Sequence, residues 1–264
     1  MKVLVTVTDV ALVDDDFEIE GRRIGEEYLT YELNEWDDYA IEEAVQLSET
    51  RDDVEVVTVT VGPERTEETI RQALAKGADR AIRVWDDSLG ETDVLDPVLK
   101  AELLSGVVED EAPEMVLTGV QTGDDANGAT GVALAQQVGY EWAAVVNQLD
   151  VDAEADTAAV HRELEGGVEE HSDVLLPAVF TIQTGINDPR YASLRGIRQA
   201  QSKPFDVYTP ADVGVDFTAL DESLSLTSLA EPTAESDATM LEGDAEAAAS
   251  QLADVLADSG VVDQ

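Results

Sequence analysis

Val54-Glu55-Val56-Val57-Thr58-Val59-Thr60-Val61, followed by Gly62-Pro63, decides the fold. β-branched residues fill most of the run, so apolar side chains project to both faces of an extended segment. A strand of that kind must be covered on both sides, as strands of parallel sheets are. Gly62-Pro63 ends it. Ile70, Ala73 and Leu74 then recur at helical spacing from about Arg65 to Lys76, and Gly77 stops that helix. Ala81 to Trp85 is the next short strand. Strand, helix and strand within roughly 30 residues make a βαβ unit.

The same alternation extends outward. Residues 2–8 predict a strand, and Ala40, Ile41, Ala44, Val45 and Leu47 mark a helix from about Asp37 to Glu49. Residues 94–109 predict a third helix, Met115 to Thr118 a fourth strand, and 129–138 a fourth helix after a Gly-rich turn. The expected fold is α/β: a mostly parallel, twisted, Rossmann-like sheet with helices on both faces. Ligands of such sheets bind beyond the carboxyl ends of the strands. After Gly139 the pattern changes. Residues 142–150, 157–164 and 174–183 look like strands with no helix between them, an antiparallel addition. Asp188-Pro189 marks a turn, and Tyr191 to Gln201 reads as a short helix.

From Phe205 onward there is no Lys or Arg. The expected organisation is a nucleotide-binding domain over 1–205 and an acidic C-terminal arm over 206–264. Ala248, Leu252, Val255 and Leu256 share one face of a helix over 243–257; a solvated acidic tail is the competing reading.

Charge narrows the functions. The 264 residues hold 59 Asp plus Glu against 15 Lys plus Arg, a net charge of −44. Nucleic-acid binding is disfavoured, because phosphate contacts need a basic surface. An anionic membrane surface would also repel the chain. Acid runs such as Asp14-Asp15-Asp16 lie well inside the chain and Lys occurs only at 2, 76, 100 and 203, a pattern that fits a halophilic protein. The apolar runs are too short for a membrane span. Met1-Lys2-Val3-Leu4-Val5 enters a strand directly, with no signal-peptide pattern, which predicts a cytoplasmic location. Cysteine is absent, so disulfides and thiolate chemistry are excluded. His161 and His171 are too few to build a zinc site alone and are expected to decorate strands.

Three segments are candidate sites. Gly119-Val120-Gln121-Thr122-Gly123-Asp124-Asp125-Ala126-Asn127-Gly128-Ala129-Thr130-Gly131 lies between a buried strand and a helix. Its glycines would let backbone approach a ligand, and the helix N-terminus favours a phosphate. It is neither a Walker A loop nor a clean G-x-G-x-x-G, and a tight turn explains it equally well. Asn34-Glu35-Trp36-Asp37 precedes the first helix; Asn34 or Asp37 could cap it, Trp36 could be core, or the segment could grip a sugar or an adenine. Arg162-Glu163-Leu164-Glu165-Gly166-Gly167-Val168-Glu169 is foremost a hairpin turn. No catalytic constellation stands out. No Lys lies near the Gly-rich loop, which argues against a triphosphate-using enzyme. A stand-alone adenine-nucleotide module would explain the loop but not the other segments.

These segments occur together, in order, with Gly62-Pro63, Glu68-Thr69-Ile70-Arg71, Ala73 to Ala81, Leu176-Pro177-Ala178-Val179 and Asp188-Pro189-Arg190-Tyr191-Ala192-Ser193-Leu194. In this the chain resembles the beta subunit of electron-transfer flavoproteins, from Lys2 to about residue 215. The resemblance implies a heterodimer with an alpha subunit that holds most of the FAD site. It implies an electron carrier, not an enzyme, between acyl-CoA-type dehydrogenases and a membrane quinone reductase. AMP would lie in this subunit, or a second FAD if the protein bifurcates electrons. The nucleotide would be held by Thr6, Asn34 to Asp37, Val61 and Gly119 to Thr130. Arg162 and Glu163 would face the alpha subunit and its flavin, and Leu194 would anchor partner dehydrogenases. The chain departs from the family pattern at Thr8-Asp9, where a Lys-Arg or Lys-Gln pair is usual.

Overall fold

The computed structural model describes residues 1–92, 94–152, 154–220, 223–231 and 238–260. The strands are β1 (Lys2–Thr6), β2 (Asp9–Val13), β3 (Ile19–Glu20), β4 (Arg23–Ile24), β5 (Leu29–Leu33), β6 (Glu55–Val61), β7 (Arg80–Val84), β8 (Met115–Gly119), β9 (Glu141–Asp152), β10 (Thr157–Leu164), β11 (Val168–Leu175), β12 (Ala178–Ile182) and β13 (Phe205–Tyr208). The helices are α1 (Glu35–Thr50), α2 (Glu67–Lys76), α3 (Pro97–Glu111), α4 (Thr130–Val138), α5 (Leu194–Ala200) and α6 (Ala245–Asp258). None of the described helices is long and apolar enough to cross a membrane.

Nine strands form one sheet in the order β11-β10-β9-β12-β8-β1-β6-β7-β13. From β9 to β13 all neighbours are parallel, and β10 runs antiparallel to both β9 and β11. The α/β fold expected from the alternation is therefore present. The addition is antiparallel only at β10, because β9 pairs parallel with β12. The single strand expected over 174–183 is two. Pro177 has no N–H for a ladder, and there the chain leaves the hairpin edge and enters the sheet between β9 and β8. Residues 9–33, which carry no helical period, supply the β2–β5 ladder and the short β3–β4 pair.

Strand periodicity explains the Val-rich runs. Val3, Val5, Val56, Met115, Leu117, Phe180 and Ile182 pack with Ile41, Ala44, Ile70 and Leu74 on one face. Leu4, Val57, Val59, Val116 and Val179 pack with Leu103, Leu104, Val107 and Leu134 on the other. Neighbouring residues point to opposite faces. Both faces carry helices, so both sets are apolar.

Contacts divide the chain into two compact units, Met1–Leu229 and Ala230–Gln264. In the first, Phe205–Tyr208 adds a parallel strand to β7, and Gly106 of α3 lies close against Val213. Asp96, fully buried, binds the chain beyond. Its Oδ1 accepts from Val98 and Leu99 N–H at 2.8 and 3.0 Å, capping α3, and its Oδ2 accepts from Ser223 and Leu224 N–H at 2.6 and 3.2 Å. Burial pushes that carboxyl up, but the four backbone donors outweigh it and hold it below the usual range. In the second unit Asp244 caps α6 through Ala247 N–H, and no residue of α6 is buried.

Candidate functional site

A cavity opens beyond the carboxyl ends of β1, β6 and β8. Thr6, Asp37, Val61, Gly119, Val120, Gln121, Thr122, Asp125, Gly128, Ala129 and Thr130 line it, so most of the residues expected to hold a nucleotide converge there. Val7, Thr8, Val59 and Thr118 complete the strand side, and α3 contributes Lys100 and Leu104. Asn34, Glu35, Trp36, Gly123, Asp124, Ala126 and Asn127 do not line the cavity.

Asp37 organises its floor. The carboxylate, 3% exposed, accepts from Thr8 N–H at 2.8 Å and from Gly119 N–H at 2.9 Å. It thereby joins the first turn of α1 to the ends of β1 and β8. Burial pushes its pKa up to about 6, against the opposing pull of those hydrogen bonds. Gly119 is required on a ground the sequence did not indicate. A Cβ there would lie 2.6 Å from Trp36 Cβ and 2.7 Å from Asp37 Oδ1, so the close approach is to protein.

Neither residue caps α1 in the expected way. Asn34 occupies the N-cap position, but its side chain makes no capping bond. Its Nδ2 donates to Gln121 O at 2.9 Å, fixing the loop after β8. Its Oδ1 is buried without a hydrogen bond. Trp36 is half-buried and donates from Nε1 to Gln183 Oε1 at 3.0 Å, just past β12. Glu35 is exposed.

The Gly-rich loop is shaped by its own acids. Asp125 Oδ1 accepts from Thr122 Oγ1 at 2.8 Å and from Asn127 N–H at 3.1 Å. Its Oδ2 pairs with Lys100 Nζ at 3.2 Å. Burial raises the Asp125 pKa, but Lys100 and these donors outweigh it and leave it lowered. Asp124 reaches back to Ala11 N–H of β2 at 3.3 Å. Ala126 and Gly128 adopt positive φ, 51° and 61°. The loop then enters α4, whose first turn has no side-chain cap. Its free N–H groups and dipole favour an anion.

Lys100 corrects the expectation that no lysine stands near the loop. Among the described residues it is the one cationic side chain lining the cavity. It lies about twenty positions earlier, on α3, where no local pattern points to the loop. Asp9 also finds its reason here. It pairs with Arg65, whose guanidinium stacks 3.7 Å from the Tyr31 ring centroid, tying the β2–β5 ladder to the turn before α2.

The remaining candidates lie elsewhere. Arg162 on β10 pairs with Glu170 at 2.9 Å and donates to Ala144 O at 3.3 Å. That carbonyl precedes Val145, which holds φ 62° at an irregularity of β9, a strained position for a β-branched residue. Glu163 is exposed. Leu194 begins α5, which Ser193 caps through Gly196 N–H; Leu194 is 76% exposed and Tyr191 98%.

Residues 23–213 match the family described as Electron transfer flavoprotein domain. An electron transfer flavoprotein subunit beta from Methylophilus methylotrophus is 47% identical over 218 residues, 81% of each chain. That of Bradyrhizobium diazoefficiens is 38% identical over 231 residues, 86% of this chain and 89% of its own. The human subunit is 38% identical over 202 residues, 76% of each. A parallel sheet with its cavity at the strand ends, a family match spanning most of the first unit, and relatives aligned over most of their length lead to one conclusion: the chain belongs to the electron transfer flavoprotein beta-subunit family.

Proposed function

We propose that this chain pairs with an alpha subunit to form an electron-carrying flavoprotein, and that its cavity holds an AMP. The observation that carries the nucleotide assignment is the convergence of Lys100 and the uncapped first turn of α4 on one cavity. Both favour an anion. Val59, Val61 and Leu104 offer apolar walls to a base. Asp37, Asn34 and Gly119 hold the three chain segments around it.

FAD, held mainly by the alpha subunit, supplies the redox chemistry when bound. This chain positions and screens it, without a catalytic side chain of its own. Arg162 and Glu163 meet the alpha subunit and its flavin, and the exposed Leu194 docks the dehydrogenase. Electrons enter from acyl-CoA-type dehydrogenases and leave to a membrane quinone oxidoreductase. The complex works in the cytoplasm of a salt-adapted cell, where molar salt shortens the Debye length to about 3 Å and screens the −44 charge.

The test is to co-express the chain with its alpha partner, purify the complex in high salt, release nucleotides with acid and count them. One FAD and one AMP per heterodimer are expected. Two FAD and no AMP would replace the simple carrier with an electron-bifurcating subunit that binds a second FAD. A colourless protein that forms no complex would overturn the proposal.

A further inference from the structure

The hairpin edge carries chemistry that the nucleotide pocket does not use. The chain has two histidines, and β10–β11 pairing sets them directly opposite one another. Ten positions apart in sequence, His161 and His171 become cross-strand partners because Glu165-Gly166-Gly167 turns the chain back. Their rings stack with centroids 4.5 Å apart and planes 24° from parallel. Glu169 stands on the same face, two positions before His171 on β11. One ligand atom from each of the three lies within 4.8 Å of the others.

We propose that His161, His171 and Glu169 form a binding site for one divalent transition-metal ion of the zinc, cobalt or nickel type. His161 Nε2 is shielded from solvent, makes no hydrogen bond, and faces Glu169 Oε2 at 3.5 Å. A buried polar atom without a partner calls for one. The 3.5 Å separation is close to the roughly 3.3 Å edge of a tetrahedron whose metal–ligand bonds are about 2.05 Å. Two imidazoles and one carboxylate with an open position suit the borderline metals, whereas magnesium and calcium favour all-oxygen sets. A groove beside the pair is lined by Gln148, Asp150, His161, His171 and Asp173. Register and strand alternation put Glu163 on this face as well, and Arg162 on the other. The field on the face is negative and draws cations. Two histidines are too few for a zinc site by themselves, and only the strand register brings Glu169 to them as a third ligand.

The site lies on an edge strand pair outside the nucleotide cavity, so its test is independent of the nucleotide content. The full-length chain, free of any affinity tag, is titrated with Zn²⁺ in molar KCl to suppress diffuse binding to carboxylates. One equivalent is expected to bind, and both imidazole spin systems should shift together in NMR spectra of the unaltered protein. Co²⁺ should give the visible absorption of a four-coordinate centre. His171→Ala should weaken binding at least tenfold, and exposed Glu169→Gln at least threefold, with unchanged circular dichroism. Imidazole signals unmoved by Zn²⁺ would overturn the proposal. So would binding of equal strength in the His161→Ala/His171→Ala double variant.

Discussion

The parallel strands at the centre of the sheet and the β10–β11 hairpin at its edge are built from opposite rules. β12 buries all five of its residues, and Phe180 is fully enclosed. From Glu169 onward β11 alternates exposed and half-buried positions. The centre has helices on both faces and buries mostly apolar side chains. The hairpin has a solvent face that carries Glu169 and the histidine pair, with Arg162 on the opposite face. Stability and position come from the centre, whereas the edge has room for exposed charged groups.

The widest gap between the two regions should appear on truncating a buried ring. Phe180→Ala is expected to cost about 3–5 kcal/mol in denaturant unfolding, whereas Val168→Ala, 55% exposed, should stay within about 0.5. Equal losses would break the comparison. Next in size is Gly119→Val, where Trp36 Cβ and Asp37 Oδ1 occupy the space a Cβ needs. A loss of about 3 kcal/mol is expected, together with loss of bound AMP, read by the nucleotide released from purified protein.

Asp37 sharpens the comparison through pH. Its pKa is raised from 3.8 to about 6, so the folded state holds its proton more tightly than the unfolded chain. The stability this gives is present below about pH 4 and is lost as pH rises to about 6, by at most about 3 kcal/mol. Asp37→Asn removes that slope, although its amide cannot accept from both Thr8 and Gly119. Chemical denaturation of both proteins between pH 4 and 7 should show the variant's deficit shrinking as pH rises. A deficit that grows would contradict the assignment. Glu111 at the far end of β1 behaves oppositely: hydrogen bonds from Arg80, then Lys2, hold it down at about 2, so its contribution is present above pH 4.5 and fades on acidification.

Lys100→Met should weaken AMP binding about tenfold, the scale of one charge-assisted bond, while the unfolding midpoint barely moves. Smallest per residue, and spread over the surface, is the salt effect. The unfolding temperature should rise from low to molar KCl as the −44 charge is screened, and a flat response would refute it.

Much of the fold was legible in the sequence because its signals are local. Val54–Val61 shows a strand buried on both faces, and the spacing of Ile70, Ala73 and Leu74 shows the helix that follows. β13 was not legible, since Phe205–Tyr208 is too short and polar to announce itself and pairs with β7 only once β7 is in place. The candidate cavity was legible as a Gly-rich loop at a strand end, but not in its mechanics. Asp37 gave the signal of a helix cap, and its hydrogen bonds instead reach Thr8 and Gly119.

The sequence by itself determined the βαβ alternation, the loop before α4, the acidic surface and the absence of thiol chemistry, because composition and periodicity belong to neighbouring residues. Tertiary structure alone decided that Lys100 meets Asp125, that Gly119 makes room for Trp36, and that His161 faces His171. Each is a contact between residues distant along the chain, and no local pattern encodes a distance that only the folded sheet sets.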